Sequence, residues 1–165
     1  MRINSISEFF NKAGLLAFDC GCEKLNEYLK KYALQNELMG YSRTFLLLDG
    51  FEIIGFYTLA TGCLSWDSLS DNQRRKMPKY DLPFVRIARL AVDIKYQRKG
   101  YGSLMLIDIC KRAVAISKLA GVYALFVEAK EEAIGFYQKY GFVSLKSDVH
   151  KMYLPLSSLE GLNQN

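Results

Sequence analysis

Histidine is nearly missing from this sequence, since His150 is the only one among 165 residues. A zinc cluster of histidine and cysteine ligands therefore cannot be assembled, and we expect no metal site because the necessary ligand types are nearly absent. A Ser-His-Asp or Cys-His catalytic site is excluded too, unless His150 alone served as its base. We expect His150 at the surface near the last strand and assign it no role.

Cysteines are few and scattered, and long apolar runs are missing. The four cysteines include one Cys-x-Cys, formed by Cys20 and Cys22, and a domain of this size needs no disulfide framework. No apolar run approaches the roughly 20 residues that span a bilayer, and the first residues lack the apolar stretch of a signal peptide. The sequence therefore predicts a protein of the reducing cytoplasm that does not contact a membrane.

Acidic residues are scarce in one segment. Residues 71–100 carry nine basic and three acidic side chains, a net charge of +6, whereas the net charge of the whole chain is +5. The protein is thus almost neutral outside this segment. Such a concentration of positive charge favours a polyanionic ligand, either a phosphate-bearing cofactor, a nucleic acid or both. A solvated basic loop that improves solubility is the alternative.

Hydrophobic periodicity predicts one α/β domain over residues 1–156 and a poorly anchored tail over 157–165. The expected elements, in chain order, are a first strand or turn, a helix over 22–38, a hairpin of strands 44–48 and 53–63 around Asp49-Gly50, a long loop over 65–82, a strand over 84–92, a helix over 101–119, a strand over 123–127, a helix over 130–140 ended by Gly141, and strands over 142–145 and 151–154. The hairpin implies antiparallel pairs and the later β-α-β unit a parallel pair. We therefore expect a mixed sheet with helices on both faces.

The sharpest motif is Gln97-Arg98-Lys99-Gly100-Tyr101-Gly102, between the strand predicted over 84–92 and the helix that follows. In that position the backbone N–H groups of the loop and of the first helical turn converge, and with the helix dipole they suit a pyrophosphate. The two glycines let the backbone approach the phosphates, and the arginine and lysine add positive charge. The Walker lysine-serine ending and the third glycine of a dinucleotide fingerprint are missing, which argues against ATP, GTP and NAD.

Two motifs resemble those of the GNAT superfamily of N-acetyltransferases. The pattern Gln-x-x-Gly-x-Gly at 97–102, after Arg-Leu-Ala-Val-Asp at 89–93, is similar to the acetyl-CoA signature of that superfamily. Phe-Tyr-Gln-Lys-Tyr-Gly-Phe at 136–142 looks like the Tyr-x-x-x-Gly-Phe end of its domain. The resemblance implies the GNAT fold, a mixed central sheet of about six to seven strands flanked by about four helices. It also implies an N-acetyltransferase that uses acetyl-CoA.

Three other segments resemble one subgroup of the GNAT superfamily. Phe-Asp-Cys-Gly at 18–21, Leu-Asn-Glu-Tyr-Leu at 25–29 and Gly-Phe-Tyr-Thr-Leu-Ala at 55–60 look like parts of the GNAT-type toxins of bacterial toxin–antitoxin systems. Toxins of that group acetylate the amino acid on aminoacyl-tRNA and block translation, and an antitoxin, commonly with a ribbon-helix-helix DNA-binding part, holds them inactive. The resemblance therefore implies aminoacyl-tRNA as substrate and such an antitoxin as partner. The oligomeric state is left open, with a homodimer among the options.

The same resemblance implies roles for individual residues. Leu90, Ala91 and Val92 would give backbone hydrogen bonds to the pantetheine arm and the thioester carbonyl, with the Val92 N–H stabilising the oxyanion. The residues that would wrap the pyrophosphate are Gln97, Arg98, Lys99, Gly100, Tyr101, Gly102 and Ser103. Tyr137 would protonate the leaving thiolate. Seven residues before it, where many GNAT enzymes have Asn and the toxins often Asp, this chain has Lys130.

The acceptor amine sets the last expectation. An α-amine titrates near 8 and esterification lowers that pKa further, so no dedicated carboxylate base is needed; Glu128 is the nearest carboxylate. The side chains expected to meet tRNA phosphates are Arg74, Arg75, Lys76, Lys79, Arg86 and Arg89. The alternatives are an ordinary GNAT enzyme for a small amine or a protein amino terminus, and a non-enzymatic module that binds nucleic acid or senses CoA.

Overall fold

Seven strands form one sheet in the order β1-β2-β3-β4-β5-β7-β6 in a computed structural model that describes residues 1–163. The strands are β1 (Arg2–Ser5), β2 (Arg43–Asp49), β3 (Glu52–Leu64), β4 (Leu82–Val92), β5 (Ala124–Glu128), β6 (Val143–Leu145) and β7 (Asp148–Pro155). β4 and β5 run parallel, whereas β2 pairs antiparallel with β1 and β3, and β7 pairs antiparallel with β5 and β6. The predicted mixed α/β sheet is confirmed.

Helices connect these strands. They are α1 (Lys12–Ala17), α2 (Glu23–Glu27), α3 (Ala33–Leu38), α4 (Asp71–Arg74), α5 (Tyr101–Ser117) and α6 (Ile134–Lys139). The sequence pattern does not predict α1, which begins where the Asn11 side chain accepts a hydrogen bond from the Gly14 N–H. Gly141 follows the end of α6, as predicted. Its φ is +87°, the left-handed conformation that ends many helices.

The helix predicted over 22–38 is one helical run with an irregular middle. A π-helical turn, Tyr28–Tyr32, joins α2 to α3, and the Ala33 N–H donates to the Tyr28 carbonyl five residues earlier. Periodicity does not reveal such a turn, because it shifts the helix by a single residue. π-turns of this kind are frequent at functional sites.

The chain forms two compact units, of which the first contains residues 1–60 and 88–109. Its core lies between the β2–β3 hairpin and the helical run from α2 to α3. The Phe56 ring is central: Phe18 meets it edge-on at a centroid distance of 5.5 Å and Tyr28 stacks on it at 6.4 Å. All three are almost completely buried. The motif residues at 18–21 and 25–29 therefore belong to a packed unit.

The second unit contains residues 61–87 and 110–165. Phe84 stacks on Phe126 at 4.6 Å across the parallel pair β4–β5, and a Cβ atom added to Gly62 would lie 2.5 Å from the Phe84 ring. The segment after β7 forms a 3-10 turn, Leu156–Asn163, and its Leu159 is buried. The tail is thus better anchored through this turn than its polar composition predicts; Gln164 and Asn165 lie outside the described residues.

Within residues 1–163, none of the helices combines the length and apolar character needed to cross a bilayer.

Candidate active site

The end of β4 presents two backbone N–H groups on one edge. The ladder of β4 with β5 ends at Ile87, five residues before the strand ends. A Cβ atom added to Gly55 of β3 would lie 2.7 Å from the Ala91 carbonyl oxygen, so that carbonyl points toward β3. Because backbone groups alternate in direction along a strand, the N–H groups of Leu90 and Val92 point to the opposite edge. This edge has the geometry needed to bind an extended amide-bearing arm.

A buried carboxylate fixes the end of this strand. Asp93 is 4% exposed, and its backbone N–H donates to the Ile54 carbonyl at 2.9 Å. Its side chain accepts from the Asp19 N–H and from the Lys95 N–H, both at 3.0 Å. One carboxylate thus joins the end of β4, the segment before α2 and the start of the glycine loop.

The segment before α2 is held by a second carboxylate. Asp19 accepts from the Gly21 N–H at 2.8 Å and from the Asn26 side chain at 2.7 Å, and the Asn26 amide oxygen accepts from the Cys20 N–H at 2.9 Å. The Gly21 N–H and then Asn26 lower the pKa of Asp19 below its ordinary value, so the carboxylate stays ionised and accepts both bonds. These contacts explain why Asp, Gly and Asn occur together in the motif segments.

Gln97 closes the network from the loop side. Its side-chain amide donates to the carbonyl of Cys20 and to the carbonyl of Val92, both at 3.0 Å. The Gln97 side chain is therefore used within the protein, to hold the loop against the end of β4. The loop backbone that follows it is left available for a ligand.

Backbone conformation, more than side-chain charge, shapes the glycine loop. Gly100 has a φ of +86°, and Arg98, at +60°, is the one non-glycine residue with a positive φ that the described structure contains. α5 begins as the Leu104 N–H donates to the Gly100 carbonyl at 3.1 Å. The first-turn N–H groups, those of Tyr101, Gly102 and Ser103, have no acceptor within the helix and add to the positive end of its dipole.

Lys99 turns away from this helix end. Its ammonium donates to the Lys95 carbonyl at 2.8 Å and lies 5.4 Å from the centre of the Tyr96 ring. The Arg98 side chain is exposed. Backbone N–H groups and the helix dipole therefore provide the fixed part of the anion site, and the two side chains add long-range positive charge.

Arg89 is held on an aromatic ring. Its guanidinium lies 3.5 Å from the centre of the Tyr28 ring, at the π-turn of the helical run. Burial alone would raise the pKa of Tyr28, but hydrogen bonds with Ser42, Thr44 and Thr58, and the charge of Arg89, lower it. The predicted phosphate-binding arginine is thus half-buried and fixed in position, unlike an arginine on a solvated loop.

Tyr137 lies in the second unit. It is 5% exposed, and its ring meets Phe142 and Phe136 edge-on, each at a centroid distance of 5.2 Å. Burial raises the pKa of Tyr137 above its ordinary value, so its hydroxyl keeps its proton at neutral pH. A hydroxyl in this state is a hydrogen-bond donor, which agrees with the role that the GNAT resemblance implies for Tyr137.

Charged side chains surround the end of β5 in the second unit. Arg86 forms an ion pair of 3.3 Å with Glu128, the nearest carboxylate named from the sequence. His150 contacts the Ala129 carbonyl at 3.0 Å and Glu131 at 3.5 Å. The pairing of Arg86 reduces the positive charge that it presents.

Four of the other basic residues expected to meet tRNA lie at the end of α4 and in the segment between α4 and β4. Arg74 ends the helix and is half-buried, while Arg75, Lys76 and Lys79 are exposed. The predicted loop over 65–82 contains a 3-10 turn, Trp66–Ser68, in addition to the one helical turn expected. The segment is therefore more structured than its polar composition indicates.

The first unit offers open backbone at Gly100 and free-edge N–H groups at the end of β4, which are the features that a CoA thioester requires. A Cβ atom at Gly100 would find no atom within 4 Å, so the backbone there is open to a phosphate. The edge N–H groups of Leu90 and Val92 lie at the carboxyl end of β4, and eight residues separate this end from the start of α5. Sequence reasoning missed three residues that hold this arrangement: Asp19, Asn26 and Asp93. The signal for them was the position of Asp93 directly after the strand and of Asn26 seven residues after Asp19.

Fold and site together define an acyltransferase domain that uses acetyl-CoA. The acetyltransferase (GNAT) domain family matches residues 40–144, and the chain belongs to this family. A tRNA-acetylating toxin of Mycobacterium tuberculosis is 36% identical over 140 residues, which cover 84% of each chain. AtaT in complex with acetyl-methionyl-tRNAfMet is 28% identical, with a TM-score of 0.89 and 98% of both chains covered. A tyrosine-to-phenylalanine mutant of AtaT bound to the C-terminus of the antitoxin AtaR is 26% identical, with a TM-score of 0.83 and coverages of 99% and 98%.

Proposed function

We propose that this protein is a toxin of a toxin–antitoxin system that transfers an acetyl group from acetyl-CoA to the α-amine of aminoacyl-tRNA and thereby blocks translation. The observation that carries the proposal is the 36% identity, over 84% of both chains, to a toxin that acetylates tRNA. The geometry at the end of β4 and at the start of α5 agrees with it, because it offers N–H groups for a thioester arm and for a pyrophosphate.

The chain's own residues divide the work of acetyl transfer. Acetyl-CoA supplies the activated acetyl group. The Val92 N–H donates to the carbonyl oxygen on which negative charge develops, and the backbone groups of Leu90, on the same edge, align the arm. The Ala91 backbone faces β3 instead, so the hydrogen bond expected from Ala91 is not part of this proposal. The N–H groups from Gln97 to Ser103 hold the phosphates. Tyr137 donates its proton to the departing sulfur, and its raised pKa keeps that proton available at neutral pH.

No dedicated base is required before the amine attacks. The proton that the nitrogen loses as the amide forms passes to solvent, and it balances the proton that Tyr137 gives to the sulfur and regains from solvent. The α-amine of an aminoacyl ester titrates at or below about 8, so a useful fraction is neutral at pH 7. Glu128 is committed to Arg86 through an ion pair, which agrees with a reaction that uses no dedicated carboxylate base. A lysine acceptor, with a pKa of about 10.4, would need such a base.

The substrate explains the uneven charge of the chain. We assign contacts with tRNA phosphates to the basic residues named from the sequence: Arg74, Arg75, Lys76, Lys79, Arg86 and Arg89. The site of action is the cytoplasm, where charged tRNA occurs. The inhibitory partner is an antitoxin with a ribbon-helix-helix DNA-binding part, and the acetyltransferase domain extends over residues 1–156.

The test is acetylation of total charged tRNA, compared with acetylation of a small amine, over a series of salt concentrations. We expect rapid acetylation of charged tRNA that falls steeply with salt, because phosphate contacts release counterions. Changing Arg74, Arg75 and Lys79 together to Ala should lower the salt slope by somewhat under one unit per lost contact, with acetyl-CoA affinity unchanged. The matched control changes three exposed lysines elsewhere, Lys118, Lys139 and Lys146. Equal and salt-insensitive activity on both acceptors would contradict the proposal and leave an ordinary small-amine acetyltransferase.

A further inference from the structure

The only tryptophan of the chain lies among the basic residues before β4. The Arg74 guanidinium is 5.1 Å and the Lys79 ammonium 5.6 Å from the centre of the Trp66 ring. Two cations on one indole interact with its electron-rich face, and Trp is the best partner for such contacts. Trp66, Arg74, Arg75 and Lys79 are called the Trp66 cluster below.

Local hydrogen bonds make the Trp66 cluster rigid for a loop. Ser70 and Gln73 form a capping box at the start of α4, with the Ser70 N–H donating to the Gln73 side chain at 2.9 Å. Asp71 pairs with Arg74 at 2.7 Å. Long basic side chains normally lose rotamer entropy when they bind an anion. Here the indole and the carboxylate have already restricted Arg74, so less entropy is lost on binding.

The cluster borders an open pocket of about 460 Å³, which is lined by Trp66, Asp71, Arg74 and Arg75. Three cations and one carboxylate give the cluster and its lining a net charge of +2. The indole Nε1 is buried and has no hydrogen-bond partner among residues 1–163. A buried donor without an acceptor is unfavourable, and a ligand oxygen that enters the pocket and reaches the edge of the indole would satisfy it.

We propose that the Trp66 cluster is a binding site for a backbone phosphate of the acceptor RNA, and that Trp66 is a positioning residue that presents Arg74 and Lys79 to it. The assignment rests on the proposed function. An arginine side chain suits a phosphate because its guanidinium offers two parallel N–H groups to two oxygens. An aromatic ring among cations is typical of RNA-binding surfaces that contact unpaired nucleotides. None of the cluster residues belongs to the glycine loop, so this site and the cofactor site are separable by mutation.

The experiment measures kcat and KM for total charged tRNA, together with acetyl-CoA affinity by calorimetry. Trp66→Leu removes the aromatic face and keeps apolar bulk, so it should raise the KM for charged tRNA about two- to fivefold, the range expected for one exposed cation–π contact. Acetyl-CoA affinity and kcat should stay at their wild-type values. Trp66→Phe keeps an aromatic face and should restore most of the affinity. Lys118→Gln, at an exposed lysine after α5, is the control.

A second background separates positioning from simple packing. In a chain that carries Arg74→Gln and Lys79→Gln, Trp66→Leu should cause no further rise in KM, because no cations remain to be presented. These two changes are also the independent test if Trp66→Leu fails to fold, and together they should reduce the salt slope by roughly 1.4–1.8 units.

The outcomes separate this inference from the proposed function. If the wild-type chain acetylates no charged tRNA, the proposed function fails. If it does, and neither Trp66→Leu nor the double glutamine variant changes the KM or the salt slope, the cluster does not bind RNA and an acidic protein partner becomes its ligand. An equal rise in KM for Trp66→Leu in both backgrounds, or for Trp66→Phe and Trp66→Leu, would also overturn the positioning role.

Discussion

Gly55 permits the close approach of β3 to β4, the strand to which we assign the thioester arm. A Cβ atom at this position would lie 2.7 Å from the Ala91 carbonyl oxygen and 2.7 Å from the Met105 methyl carbon. The methionine end is flexible and can move. The carbonyl belongs to the backbone between Leu90 and Val92, so Gly55→Ala must push β4 away by at least about 0.3 Å to restore the 3.0 Å that real Cβ contacts keep.

The displacement predicts two measurable effects. Overpacking of this kind costs roughly 1–3 kcal/mol of unfolding free energy, which lowers the Tm by about 2–12 °C in a chain of this size. Because Leu90 and Val92 move with Ala91, the N–H groups that align the thioester also shift. A misplacement of 1 Å can cost about a hundredfold in rate, so a few tenths of an ångström should reduce kcat/KM several-fold.

The assay combines thermal unfolding with acetyl transfer to charged tRNA, and Gly135→Ala is the matched control. Gly135 lies in α6, and a Cβ atom there would meet nothing within 4 Å. The control should be neutral or stabilise the protein by up to about 1 kcal/mol, since Ala favours the helix. If Gly55→Ala kept the wild-type Tm and the wild-type kcat/KM, the packing argument for this edge of β4 would be refuted.

Three further predictions test the site and the first unit. Gly100→Val should abolish acetyl-CoA binding in calorimetry. The control Gly40→Val, at a similarly positive φ of +75° in open space, should carry the same backbone strain and still bind acetyl-CoA. If both variants bound acetyl-CoA with the same affinity, the glycine loop would not be part of the cofactor site. Tyr137→Phe should lower kcat by roughly 10²–10⁴-fold without changing acetyl-CoA affinity. Because burial raises the pKa of Tyr137, ionisation of its hydroxyl should not lower the wild-type kcat below about pH 10. If the variant turned over at the wild-type rate, Tyr137 would have only a packing role. Burial alone would raise the pKa of Glu37, but hydrogen bonds with Ser5, Ser7 and Thr44, and the Arg43 charge, lower it. Glu37→Gln should therefore reduce the free energy of unfolding by about 1–3 kcal/mol above the ordinary pKa of 4.5, and this difference should vanish as pH falls through the lower folded-state pKa. A difference in urea unfolding that does not depend on pH would contradict the prediction.

The sequence by itself determined the features that local chemistry controls. The hairpin around Asp49-Gly50, the strand before residue 93, the glycine loop and the left-handed cap at Gly141 each depend on residues within a few positions of one another. Turn conformation, strand alternation and helix termination are set at that range. Two such motifs carried the resemblance to the GNAT family, and the family match over residues 40–144 confirms it.

Tertiary structure decided which side chains serve the site and which hold it in place. The Gln97 side chain donates to the Cys20 carbonyl, 77 residues earlier in the chain. The Asp93 carboxylate accepts from the Asp19 N–H, 74 residues earlier. Arg86 pairs with Glu128, 42 residues later. No local pattern encodes such partners, because packing brings them together only after the strands are aligned. Polar side chains buried by that packing must find partners or lose free energy. The sequence therefore predicted an anion site from local residues, and only the folded chain decided which charged side chains are paired within the protein.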